Sequence, residues 1–268
     1  MAVLKTLTIA GSDTSGGAGL QADLKTFEEY KTYGLSAITC IVTMDPDHNW
    51  KHNVTPIAPE LVEAQLKTIL SGEPIQAMKT GMLGSVEIIK IAANAIKTHQ
   101  LKNVVIDPVM ICKGDDEVLQ PDSAQAIREL LIPLATVTTP NLFEAGQLSG
   151  LGTPKNLEEM KTAAKAIFEL GVPHVVIKGG KALAGEKAID LYYDGTEFHL
   201  LEAEKDANNH NHGAGCTFAA AITGGLANGL SVKEAIYKAK DFVTAAIQGG
   251  FAFNQFIGPV WHGAYNQK

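Results

Sequence analysis

Leu4-Lys5-Thr6-Leu7-Thr8-Ile9-Ala10-Gly11-Ser12-Asp13-Thr14-Ser15-Gly16-Gly17-Ala18-Gly19-Leu20-Gln21-Ala22-Asp23 is the stretch on which the reading of the chain turns. The apolar run over 4–10 reads as a buried strand, glycine and serine then dominate a loop, and apolar residues recur at helical spacing over 19–30. A second apolar run follows at 37–43. Further runs at 77–79, 104–106, 136–138 and 175–177 alternate with helical periods at 59–70, 86–97, 122–131 and 157–170. Such alternation predicts an α/β fold, with a mostly parallel central sheet covered by helices on both faces. The rhythm changes at 187–201, where two strands meet at the hairpin signal Asp194-Gly195. Two helices, 214–228 and 231–248, follow. No repeat, low-complexity tract or linker interrupts the pattern, so residues 1–268 are expected to form a single domain.

Composition narrows the function classes. The chain is 46% hydrophobic and 19% charged with a net charge of −7, and its Lys and Arg are scattered. A nucleic-acid partner is therefore not expected, and an anionic ligand has to be met by a local site. No run approaches the roughly 18 apolar residues of a membrane span, and the N-terminus lacks a leader pattern, so no membrane association and a cytoplasmic location are expected. Three cysteines, Cys40, Cys112 and Cys216, are an odd number without metal-type spacing and read as reduced thiols. Cys40 lies in an apolar run and reads as a buried strand residue.

Several candidate functional residues fall where strands end, the face on which open α/β sheets bind ligands. In Asn211-His212-Gly213-Ala214-Gly215-Cys216-Thr217-Phe218, two glycines flank a small residue at a helix start. Backbone N–H groups can converge there on an anion, with the helix dipole adding to the attraction. The 11–19 loop lacks the Gly-Lys-Ser/Thr of a Walker loop. It reads either as a turn with a helix cap or as a pocket in which Asp13 bonds a polar ring substituent. Asp107, Asn141 and Glu144 read as a metal-phosphate group. The alternative is that Asn141 caps a helix and Glu144 sits in its first turn. Lys178, before Gly179-Gly180, reads as a phosphate partner or a solvated strand end. His210 and His212 have no accompanying ligand cluster, and a loop role is expected of them.

Read together, Gly11-Ser12-Asp13 with residues 15–23, Lys79-Thr80-Gly81-Met82, Asp107-Pro108-Val109-Met110, 139–144 and 212–217 resemble the ribokinase-like kinases of vitamin precursors. The branch they resemble is that of the hydroxymethylpyrimidine (phosphate) kinases. The resemblance implies a ribokinase-like three-layer α/β/α sandwich with a small β-hairpin late in the chain. Two departures matter. Met44 stands where that branch typically has Glu or Gln to read an aminopyrimidine, and a thioether cannot make that directional pair. Cys112 stands where a small residue is usual, and its pairing with Cys216 resembles the dual-cysteine pyridoxal kinases of Gram-positive bacteria.

That resemblance implies transfer of the ATP γ-phosphoryl group to the 5′-hydroxymethyl oxygen of pyridoxal, pyridoxine or pyridoxamine. ATP and Mg²⁺ are implied as donor and cofactor, a monovalent cation is left open, and a homodimer is implied. Gly213, Ala214 and Gly215 would stabilise the transferring group. Asp107, Asn141 and Glu144 would organise Mg²⁺ and its waters, with Asn141 and Lys178 on the nucleotide. Asp13, Met44, His52 and Met82 would line the ring pocket, Met44 and Met82 otherwise being core filling. Cys112, on a lid with Lys113 and Gly114, would hold pyridoxal as a hemithioacetal. Cys216 stands where the superfamily mostly places a catalytic Asp; its thiolate, favoured by the helix N-terminus, would take the hydroxyl proton, unless it is a small buried thiol. The alternatives are a hydroxymethylpyrimidine kinase, a sugar or nucleoside kinase, and a catalytically inactive pyridoxal phosphate carrier or sensor.

Overall fold

The structure is a computed structural model that describes residues 2–72, 74–110, 121–207 and 209–267. Its strands form one sheet in the order β3-β2-β1-β4-β5-β6-β7-β8-β9. The parallel centre is β2 (Tyr33–Asp45), β1 (Lys5–Asp13), β4 (Ala77–Thr80), β5 (Val104–Ile106), β6 (Val137–Thr138) and β7 (His174–Gly180). At one edge β3 (Lys51–Pro56) runs antiparallel to β2, and at the other the hairpin of β8 (Lys187–Tyr193) and β9 (Phe198–Glu204) runs antiparallel to β7.

The central strands bury both faces because successive side chains alternate between two cores. Met78, Val104, Ile106, Val175 and Ile177 belong to one core, which they share with α2 (Pro59–Leu70), α3 (Val86–Thr98), α4 (Pro121–Ala126), α5 (Leu142–Ser149) and α6 (Leu157–Phe168). Ala77, Val105 and Val176 point the other way, towards α7 (Ala214–Ala227) and α8 (Val232–Gln248), with α1 (Gly19–Glu29) packed beside α7. This is the expected three-layer sandwich with its late hairpin. From Thr217 to Ala227 every residue of α7 is buried, so the small side chains here let a helix run through the core directly behind the ligand-binding edge.

Three elements differ from the sequence reading. β1 does not stop at Ala10 but continues to Asp13, through a register shift between Ala10 and Ser12 that keeps Asp13 paired with Val42. The expected helix over 122–131 is α4 followed by a π-helical turn, Ile127–Leu131; Pro133, with no N–H to donate, stands just beyond. β3 is an additional edge strand, whose pairing with β2 brings His52 beside Met44.

Candidate active site

The carboxyl ends of β1, β4, β5 and β7 and the N-terminus of α7 surround a cavity of about 460 Å³. Two ends can be distinguished in it: one beneath the β2–β3 hairpin, the other between the β8–β9 hairpin and α8.

Gly213 lies between them. It caps α7 with φ of 82°, and a Cβ there would stand 1.8 Å from the carbonyl oxygen of Gly17. Only glycine lets the 11–19 loop and the α7 start touch in this way. The Ala214 N–H donates to Asn211 O at 3.2 Å, so of the three residues expected to bind an anion, Ala214 has its amide already engaged. The first-turn amides of Gly215 and Cys216 are those that helix geometry leaves without an intrahelical acceptor. The Lys178 ammonium stands beside them, 3.4 Å from where a Cβ on Gly215 would lie. It is held there by Asp107 Oδ1 at 2.8 Å, and that oxygen also accepts from Thr139 Oγ1 at 3.1 Å.

Asn141 and Glu144 realise the capping alternative. Asn141 Oδ1 accepts from the Glu144 N–H at 2.9 Å and Glu144 Oε2 accepts from the Asn141 N–H at 2.8 Å, a capping box that opens α5. Both nevertheless line the cavity together with Asp107 and Lys178. Burial raises the Glu144 carboxyl above its ordinary range and Asp107 adds to the rise, while Lys178 opposes it. Among the described residues no group of three or more His, Cys, Asp and Glu side chains forms a metal cage. The hard oxygens of Asp107, Asn141 and Glu144 suit Mg²⁺, but their protein partners fit them better to holding its waters than to surrounding the ion.

At the ring end, Asp13 does something other than reach for a substituent. Its Oδ1 accepts from the Ser15 N–H at 2.9 Å; its Oδ2 accepts from Ser15 Oγ at 2.8 Å and the Ala18 N–H at 2.9 Å, and pairs with His212 Nε2 at 2.7 Å. It thus ties the glycine-rich loop to the α7 entrance. Burial alone would raise its pKa; the His212 and Ser15 hydrogen bonds outweigh that and hold it at about 2. The stabilisation is therefore present above the ordinary value of 3.8 and is lost as the pH falls from there through about 2. Asp13→Asn should cost about 2 kcal/mol at neutral pH, with a gap to the parent in urea midpoint that closes as the pH is lowered through that window.

His52 and Met82 line the cavity as expected, with the His52 and His212 rings 6.3 Å apart. Met44 does not. Val42, two residues earlier on the same strand face, occupies the wall, while Met44 pairs with His52 farther out towards the hairpin turn. His210 packs against Gly250 and Gly258, away from the Asp13 partner of His212, so of the two only His212 bonds to the 11–19 loop.

Cys216 lines the cavity in the first turn of α7. Its surroundings oppose the thiolate that the helix N-terminus favours. Burial pushes the thiol up to about 11, the Lys79 ammonium pulls against that, and the carboxylates of Asp23 and Asp107 add to the rise. Cys112, Lys113 and Gly114 lie outside the described residues.

Two ion pairs of the cavity were given no role from the sequence. Lys79, fully buried and paired with Asp23, lies at the cavity floor. At the other end Lys240 Nζ meets Asp190 Oδ2 at 2.7 Å, and Asp190 Oδ1 accepts from the Gly180 N–H at 3.0 Å. Ala188, Ala203, Val243 and Ile247 give that end an apolar wall.

Comparison with known proteins agrees along the chain. The family model described as phosphomethylpyrimidine kinase matches residues 13–261. A pyridoxine kinase of Bacillus subtilis is 58% identical over 98% of this chain and 97% of its own length. A hydroxymethylpyrimidine/phosphomethylpyrimidine kinase of the same organism is 38% identical over 100% of this chain and 98% of its own. The solved structure of a pyridoxal kinase from Staphylococcus aureus in complex with AMP-PCP and pyridoxal superposes with a TM-score of 0.94 at 54% identity, covering 100% of this chain and 96% of that one.

Proposed function

The chain belongs to the phosphomethylpyrimidine kinase family, and we propose that within it the protein phosphorylates the 5′-hydroxymethyl group of pyridoxal, pyridoxine and pyridoxamine at the expense of ATP. The observation that carries this reading is the identity gap along nearly the full length: 58% to a pyridoxine kinase against 38% to a pyrimidine kinase. The ring end is consistent with it: Val42, Met82 and His52 carry no carboxylate, and the Asp13 carboxylate is already engaged by Ser15, Ala18 and His212.

ATP lies with its base against the apolar wall of α8 and the β8–β9 hairpin, and its phosphates reach towards Lys178 and the first-turn amides of α7. Donors fixed before the reaction stabilise the transferring group with little reorganisation. Mg²⁺, when bound, neutralises phosphate charge, and Asp107, Asn141 and Glu144 would hold it through its waters. Asp13 acts at one remove, by keeping the 11–19 loop against Gly213. Cys216 accepts the acceptor's hydroxyl proton. From the sequence, Cys112 is a second thiol for the aldehyde of pyridoxal. The active unit is a homodimer in the cytoplasm.

A coupled assay of ADP release tests the reading. The expected result is ATP turnover that depends on a B6 vitamer, with Cys112→Ala losing most of the rate with pyridoxal and little of that with pyridoxine. Tight vitamer binding without turnover would instead make the protein a carrier.

A further inference from the structure

Neither side chain of the Lys79–Asp23 ion pair has any exposed surface. Lys79 Nζ meets Asp23 Oδ1 at 2.8 Å, and Asp23 Oδ2 accepts from Thr8 Oγ1 at 2.6 Å. Burying two charges is costly, and a neutral pair of similar volume is often as stable or more so. Stability alone is thus a weak reason for this pair to stand at the floor of a ligand cavity. An ammonium has three N–H donors, and among the described residues Asp23 is the one hydrogen-bond partner of Lys79. Its Nζ lies 3.5 Å from where a Cβ on Gly81 would stand, at the cavity lining it shares with Gly11, Gly19 and Cys216. The charged groups that act on the Cys216 sulfur are Lys79, Asp23 and Asp107, together with Lys178, which is paired with Asp107. Of these, Lys79 is the cation not paired with Asp107.

We propose that Lys79, held in place by Asp23, is a positioning residue for phosphoryl transfer: its ammonium steadies the thiolate of Cys216 that takes the acceptor's hydroxyl proton. The proposal rests on the reading of Cys216 as the proton acceptor. In the step itself, the hydroxyl proton passes to Sγ, the freed electron pair forms the new O–P bond, and the bond from the γ-phosphorus to ADP breaks. Asp23 keeps the ammonium protonated and prevents it from turning away. The cation thereby offsets the burial that otherwise keeps the thiol neutral.

The test compares the parent with Lys79→Met and with the paired variant Lys79→Met/Asp23→Asn, which leaves no lone buried charge. Two readouts are used: steady-state phosphorylation of pyridoxal, and iodoacetamide labelling of Cys216 followed by mass spectrometry of its peptide. In the paired variant kcat should fall about tenfold with KM for ATP and pyridoxal nearly unchanged, and labelling of Cys216 should slow by about the same factor. Lys79→Met alone should move both readouts further in the same direction. A merely loosened pocket would do the opposite to labelling, exposing the sulfur and speeding the reaction. A folded paired variant with the parent's kcat and labelling rate overturns the proposal, as does faster labelling. Failure of the paired variant to fold assigns the pair to stability and also overturns it. A parent that phosphorylates no vitamer would sink the proposed function, while the labelling comparison would still decide whether Lys79 favours the thiolate.

Discussion

Cys216→Ala is expected to lower kcat for pyridoxal by about 10²- to 10⁴-fold, the usual contribution of a positioned proton acceptor, while KM for ATP stays within a few-fold. The thiol sits in the first turn of α7, where the transferring group would meet backbone amides, and alanine removes the base without disturbing the helix. The pH profile should carry the same signature. Because burial holds the thiol near 11, its deprotonated fraction grows with pH, so kcat of the parent should rise between neutral and mildly alkaline pH. In Cys216→Ala that rise should disappear. A parent profile that is flat, or a variant that keeps the slope, would assign the proton to another acceptor.

Gly213→Ala is expected to be the most damaging single-atom change. A methyl group there would stand 1.8 Å from Gly17 O and 2.7 Å from its carbonyl carbon, on a backbone already at φ of 82°. The strain alone costs about 1 to 3 kcal/mol, and relief of the clash requires the glycine-rich loop to leave the α7 entrance. Activity should drop more than about a hundredfold, as when a fixed oxyanion donor is lost. The thermal midpoint should fall as well, and the Asp13–His212 contact should weaken, which a shifted His212 resonance in NMR would report. A stable variant of normal activity would mean that the loop and helix do not need this contact.

How much of this was legible in the sequence depended on whether neighbours in the chain carried the information. β5 and α2 were located to the residue, because a pure apolar run and an uninterrupted helical period are local signals. β1 was cut short at Gly11, since glycine reads as a turn while the structure uses it at a register shift inside the strand. β3 was invisible for a different reason. It is an edge strand with polar residues on both faces and a proline at its end, so no alternation marks it. At the site, strand ends and the α7 start were recognisable, and so were the residues they carry. What they do to one another was not. Asp13 meets His212 across 199 positions, and Lys79 meets Asp23 across 56, so no spacing rule could have joined either pair. Lys79 stood in a strand-end motif and Lys240 in a helical period, and neither carries a sign of the carboxylate that the fold buries beside it. Met44 marks the limit of one-dimensional reasoning within a strand. The face was right, but which of two residues on that face reaches the cavity depends on where β2 rises past its rim.

The most direct test of the central claim is a competition in one tube: equimolar pyridoxal and hydroxymethylpyrimidine with limiting Mg-ATP, the phosphorylated products being quantified by mass spectrometry. A predominance of pyridoxal 5′-phosphate, lost with Cys216→Ala, is the predicted result. A predominance of hydroxymethylpyrimidine phosphate would contradict the account and place the chain with the pyrimidine kinases of its family.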